Sequence, residues 1–301
     1  MKQFLINIAI FIVLFFIFDR MFLILRNYSP TIQKDKRLEL VLNGKMNKDI
    51  VIFGSSRGAR DVLACSIQDL LGKSCYNLSY PGSNIEFHEF LLRTLIEFNK
   101  KPKIVLLVLD DSSEFLKSNL TDRKDVLYPL IKYKYIRNEL VRKKVKNPLL
   151  SDIFILHQLN KANFKLKKQK FTALDSIDIC GSMPISFQRE RRNAKWNYGE
   201  NNFYKIEDEV NIYKECFSRF QKICEDKGIK LILVFPPNFS NLNNYFFKRV
   251  LNLSNNNNYF VYNQNDFRYK ESEYFHDGSH LKINGAKIFT QEIIDFLKLE
   301  K

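Results

Sequence analysis

The sequence predicts an α/β protein: a three-layer α/β/α sandwich around a mainly parallel sheet of about five strands, preceded by one transmembrane helix. Three observations carry that prediction. The N-terminus is a long apolar run without charge, and from Asp49 onward short strand-like apolar runs alternate with segments of helical spacing. The length of 301 residues and the 45% apolar content are enough for a buried core and too apolar for a disordered chain.

Phe4 to Phe18 reads FLINIAIFIVLFFIF, and Met21 to Leu25 adds MFLIL after Asp19 and Arg20. As a helix, this run covers about 30 Å, the thickness of a hydrocarbon core. The only charged side chain ahead of it is Lys2, and no small-x-small site follows, so an uncleaved anchor is expected rather than a signal peptide. Residues 1–26 are read as the anchor, 27–48 as a linker and 49–301 as the α/β domain. Arg26, Lys34, Lys36 and Arg37 after the run outweigh Lys2 before it, which by flanking charge keeps the domain cytoplasmic. Long domains cross largely regardless of that rule, so topology has to follow function.

Ile50–Phe53 is a buried-type strand bounded by Gly54, and 61–71 has helical spacing. Cys75–Leu78 leads into Pro81-Gly82, and 84–98 reads as a helix before the strand at 104–109. Residues 210–226 are helical, with Gly228 at the C′ position. Ile229–Phe235 is a strand stopped by Pro236-Pro237, Tyr259–Tyr262 is the fifth strand, and a helix spans about 284–299. Alternating units of this kind imply a parallel sheet covered on both faces.

A basic, partly helical insertion at about 112–209 breaks the rhythm. Residues 131–170 hold twelve Lys or Arg against Glu139 and Asp152, which is +10 of the total charge of +15. The insertion reads as a lid or docking surface for an anionic glycan, a phospholipid surface or a partner protein, or more plainly as a solvated helical face. No nucleic-acid-binding motif accompanies the charge, and nucleic acid is not an expected partner. The five cysteines, Cys65, Cys75, Cys180, Cys216 and Cys224, lack CxxC spacing. Free or singly paired thiols are expected, with no metal and no cofactor.

Two segments at the ends of the α/β region carry chemistry. Val51-Ile52-Phe53-Gly54-Ser55-Ser56-Arg57 runs from a strand through a turn into a helix, at the sheet edge where ligands bind. A hydroxyl there lies beside the positive end of a helix, placed to attack a carbonyl. His276-Asp277-Gly278-Ser279-His280 puts a carboxylate three residues before a histidine across a glycine turn, so the carboxylate can orient the imidazole to take a proton from serine. His276 competes with His280 as the base but lacks an aspartate at that offset. Arg57 is read as a solvated or salt-bridged side chain.

With these blocks the chain resembles the SGNH, or GDSL-type, hydrolase superfamily. The resemblance covers 49–301 outside the insertion and implies Ser56 as nucleophile, His280 as base and Asp277 as its orienting carboxylate. Asn77-Leu78-Ser79-Tyr80-Pro81-Gly82-Ser83-Asn84 is similar to the second block, implying an oxyanion hole from the Ser56 and Gly82 N–H groups, with Asn84 as a further donor. An ordinary post-proline turn explains Gly82 equally well. Leu109-Asp110-Asp111-Ser112 departs from the third block, which normally supplies an asparagine; an ionised aspartate cannot donate.

Joined to a membrane helix, the chain resembles the anchored cell-envelope branch, which includes polysaccharide O-acetylation and D-alanyl-lipoteichoic acid transfer proteins. That implies a single-pass membrane protein with its domain extracytoplasmic. Its expected activity is that of a serine-dependent esterase or O-acyltransferase on acyl esters, chiefly acetyl, of cell-surface polysaccharide. A membrane-bound O-acyltransferase is the implied partner and carbohydrate the substrate. The alternative is a non-catalytic envelope protein whose domain binds glycan or that acyltransferase.

Overall fold

A computed structural model of the chain describes residues 1–109, 114–170, 172–187, 204–255 and 258–299. Asp110, Asp111 and Ser112 lie outside the described residues. The chain divides into two compact units, Met1–Glu39 with Arg123–Lys170, and Leu40–Asp122 with Phe171–Lys301.

The second unit is built on five parallel strands in the order β2-β1-β3-β4-β5: β1 Ile50–Phe53, β2 Cys75–Asn77, β3 Ile104–Val108, β4 Lys230–Phe235 and β5 Tyr259–Val261. The helices of the chain are α1 Lys2–Met21, α2 Leu23–Tyr28, α3 Arg37–Leu42, α4 Ser56–Asp61, α5 Ala64–Leu71, α6 Ile85–Phe98, α7 Lys124–Leu127, α8 Lys134–Arg142, α9 Pro148–Ile153, α10 Ile155–Gln158, α11 Asn211–Asp226, α12 Asn244–Leu253 and α13 Ile283–Leu299. The expected sheet is present, and it is wholly parallel.

Alternation along each strand sorts side chains to two faces. Ile50, Ile52, Leu106, Val108, Ile232 and Val234 join one buried cluster with Ile67 of α5 and Phe289 and Ile293 of α13. On the other face α6 packs on α11, and Phe53 meets Phe220 of α11 edge-on at 5.5 Å. Helix α11 ends as its glycine predicts: Gly228 takes φ +61°, and Ile229 N–H reaches back to the Cys224 carbonyl at 2.8 Å.

One helix is interrupted where the spacing predicts continuity. The segment 61–71 breaks at Val62, which is extended at φ −114° and ψ 117°. Side chains from distant elements satisfy the backbone there. Leu63 N–H donates to Thr290 Oγ1 at 3.0 Å, Ala64 N–H to Ser182 Oγ at 2.9 Å, and the Val62 carbonyl accepts from Asn77 Nδ2 and Ser182 Oγ. Tertiary partners outweigh helical spacing when they supply all the lost bonds.

Segment 176–187 runs from α5 toward the last helix. A disulfide joins Cys65 to Cys180. Asn77 N–H donates to the Cys180 carbonyl, Met183 N–H to Ala59, and Ile283 N–H to Ile185. Cys75, Cys216 and Cys224 are buried and unbridged, and burial pushes the Cys75 and Cys224 thiols up to about 12.

In the first unit α1 is exposed and apolar. Among the described residues it is the one helix long and apolar enough to cross a membrane, and almost none of its apolar stretch is buried.

Closing a loop across a sequence separation of 115 constrains the unfolded chain strongly. Cys65→Ser and Cys180→Ser should each lower stability by about 2–4 kcal/mol, measured as a drop in urea midpoint with a steeper slope, because the unbridged unfolded chain exposes more surface. Variants that unfold with the wild type would show that the bridge contributes nothing.

Candidate active site

Strand β1 delivers the chain to Gly54-Ser55-Ser56, and α4 starts at Ser56. The turn presses against β3 so closely that a Cβ on residue 54 would lie 2.9 Å from the Val108 carbonyl oxygen and 3.0 Å from Val108 Cβ. A Cβ on residue 58 would lie 2.6 Å from Ser79 Oγ. Glycines at both positions let the first turn of α4 sit on the carboxyl edge of the sheet.

The second part of the site is a tight loop before α13. Phe275 and Leu281 form an antiparallel bridge, and His276 N–H donates to the His280 carbonyl at 2.8 Å. Phe239 N–H holds the loop tip through the Gly278 carbonyl at 3.1 Å. Leu281 N–H donates to Asp61 Oδ1 at 2.9 Å, tying the loop to the last residue of α4.

These two parts bring Ser56, His280 and Asp277 together. His280 Nδ1 lies 2.9 and 3.0 Å from the two Asp277 oxygens, and His280 Nε2 lies 2.8 Å from Ser56 Oγ. A carboxylate only accepts, so Nδ1 carries a proton; in the neutral ring Nε2 is then the acceptor for the Ser56 hydroxyl.

Burial works to raise the Asp277 carboxyl. Hydrogen bonding and charge from His280, with the Ser279 and His280 N–H groups, outweigh burial and hold it well below the usual carboxylate range. Burial pulls His280 below its ordinary value; Asp277 opposes that, and Arg60 and Arg57 add to it. The arrangement therefore holds an ionised Asp277 beside a neutral imidazole at pH 7.

His276 is 4% exposed, and its Nδ1–H donates to the Phe187 carbonyl at 2.7 Å, so its ring ties segment 176–187 to the loop. Arg57 is buried rather than solvated. Its Nη2 donates to the Pro236 carbonyl at 2.6 Å, because the turn after β4 passes beside the first turn of α4. Gly82 takes φ +74° at the third position of the Tyr80–Ser83 turn, which Ser83 N–H closes on the Tyr80 carbonyl, and Pro81 pre-sets the position before it. Tyr80 N–H donates to the Gly54 carbonyl at 3.0 Å, which sets this turn beside the Gly54-Ser55-Ser56 turn. Asn84 caps α6: its Oδ1 accepts Phe87 N–H at 3.3 Å and its Nδ2 reaches Glu86 at 3.4 Å.

A buried polar array behind the Gly82 turn has no signature in the sequence. Ser83 Oγ lies 2.6 Å from the Tyr80 carbonyl, which takes its single proton, so His88 Nε2–H donates to Ser83 at 2.9 Å. Glu114 lies 3.6 Å from His88 Nδ1, and all three side chains are fully buried. Ser83 and His88 are five residues apart, a spacing that marks no motif; only the fold shows that they meet.

The one cluster of potential metal ligands among the described residues, Cys65, Asp178 and Cys180, has both sulfurs in the disulfide. No family model and no curated protein matches the sequence. Among solved structures, the chain is similar to the psychrotrophic esterase EstA of Pseudoalteromonas sp., inhibited by monoethylphosphonate, at 12% identity and a TM-score of 0.41 over 83% of this chain and 97% of that one. It is also similar to a Streptococcus pneumonia structure provisionally assigned as a platelet activating factor, at 14% identity and a TM-score of 0.34 over 93% and 96%.

The geometry predicts the titration of His280. Its imidazole should titrate below the ordinary 6.5, and Asp277→Asn should lower it further by removing the group that raises it. Imidazole NMR across pH checks both, and a His280 that titrates above 6.5 would contradict this electrostatic account.

Proposed function

We propose that the chain is a serine-dependent ester hydrolase or O-acyltransferase of the SGNH type, anchored in the membrane and acting on acyl esters of cell-surface polysaccharide. The reading is carried by one observation, the unbroken hydrogen-bonded chain from Ser56 Oγ through His280 to Asp277.

In this proposal Ser56 Oγ attacks the ester carbonyl as its proton passes to His280 Nε2. The carbonyl oxygen becomes an oxyanion held by the N–H groups of Ser56 and Gly82; the Asn84 side chain, considered as a further donor, is engaged in the α6 cap with its Nδ2 on Glu86. Collapse breaks the ester bond, and His280 returns its proton to the departing alkoxide. The acyl group then sits on Ser56 until water, or a sugar hydroxyl deprotonated by His280, takes it and frees the serine. Asp277 stays ionised throughout, holding the ring in the required tautomer and stabilising its charged form.

An extracytoplasmic domain is supported by the Cys65–Cys180 bridge, since disulfides persist in oxidising compartments. This consideration opposes the flanking charges and rests on chemistry rather than on a statistical rule. The domain boundaries belong to the same proposal: an anchor at 1–26, a linker at 27–48 and the α/β domain at 49–301 with its insertion at about 112–209. A membrane-bound O-acyltransferase is the proposed acyl source in the transfer reaction.

Full-length protein in detergent should hydrolyse p-nitrophenyl acetate. Ser56→Ala and Asp277→Asn should each lower kcat by roughly 10⁴-fold. An oligosaccharide acceptor that diverts the acetyl group to sugar would identify the transferase. Equal rates for wild type and Ser56→Ala would sink the mechanism.

A further inference from the structure

The apolar helix does not stand alone within its unit. The charged pair that interrupts its apolar run receives the insertion: Asp19, 3% exposed, accepts Ile155 N–H at 2.8 Å and Leu156 N–H at 2.9 Å, while Arg20 donates to the Ile153 carbonyl at 3.2 Å. Phe154 packs against both Phe15 and Phe16 with ring centroids 5.7 Å apart, and Phe164 packs against Phe22 at 6.4 Å. Phe15 lies about 6 Å along the helix axis from Asp19 toward the N-terminus. The segment therefore lies alongside the apolar run itself.

Its surface has two kinds of side chain. Leu149, Leu150, Ile153 and Leu156 are exposed, Leu149 by 66%, on the short helices that carry the contacts with Asp19 and Phe15. The stretch that follows, 160–170, carries five lysines and no acidic residue. Lys165, Lys167, Lys168 and Lys170 are exposed. Apolar side chains beside a basic run, continuous with an apolar helix, match the headgroup–acyl boundary of an anionic bilayer. The uncharged part of the apolar run, Phe4–Phe18, spans about 22 Å of the roughly 30 Å that the whole run covers. Apolar surface from the segment is added at the end where that run stops.

We propose that residues 148–170 form a second membrane contact, with Leu149, Leu150, Ile153 and Leu156 among the acyl chains and the lysines on anionic lipid phosphates. The proposal rests on α1 spanning the bilayer, and the test separates the two. Full-length protein carrying Trp196→Phe, which removes the single native tryptophan, receives one reporter at a time: Val13→Trp in α1, Leu150→Trp or Leu149→Trp in the segment, and Leu70→Trp on α5. All four positions are exposed, so the reporters disturb no core. The protein is reconstituted into vesicles of equal parts phosphatidylglycerol and acyl-brominated phosphatidylcholine.

The reporters at 13, 149 and 150 should lose most of their emission to bromine, while the reporter at 70 keeps its own. Omitting phosphatidylglycerol should weaken the quenching at 149 and 150 and leave that at 13 unchanged. Quenching at 13 with none at 149 and 150 would overturn the second contact, leave the anchor standing and point to a protein as the occupant of this surface. Absence of quenching at 13, 149 and 150 would overturn both.

Discussion

The candidate site depends on one bond between residues 220 apart in sequence: Leu281 N–H to the carboxylate of Asp61. Asp61 ends the helix that begins at Ser56, and Leu281 follows His280. Asp61 is fully buried, so losing this acceptor would leave a donor unsatisfied in the interior, at a cost of about 1–3 kcal/mol. The neighbouring bond from Leu63 N–H to Thr290 brings α13 to the same place. Ser56 and His280 therefore meet at 2.8 Å where the ends of their own elements are joined.

Much of this was legible in the sequence, for physical reasons. The five strands are short apolar runs bounded by turn residues, and every one lies where period and punctuation predict. The two end blocks were legible because a parallel sheet brings the carboxyl ends of its strands to one edge, so a turn after the first strand and a turn before the last helix converge. The break at Val62 was hidden because Asn77, Ser182 and Thr290 replace its helical bonds from far away in the chain. Arg57 was misread as solvated because its partner is a backbone carbonyl, which sequence does not display. The pairing of Cys65 with Cys180, and of Ser83 with His88, depends on tertiary approach alone.

The basic insertion changes meaning once its surroundings are known. As a charge count it suggested a polyanion or a solvated helix. Within its own unit it stacks on the apolar helix through Phe154 and Phe164 and is capped by Asp19, the residue that seemed only to interrupt the apolar run. A buried carboxylate beside an apolar helix is expensive unless it is fully bonded. Two backbone N–H groups from the insertion supply those bonds.

In the proposed mechanism Ser56 is a nucleophile activated by His280. Reaction of the full-length protein with a fluorophosphonate, followed by mass spectrometry of the labelled peptide, tests it most directly. A single adduct on Ser56, whose formation collapses in His280→Ala, is the expected result. Labelling at any other residue, or labelling of Ser56 at the same rate without His280, would contradict it.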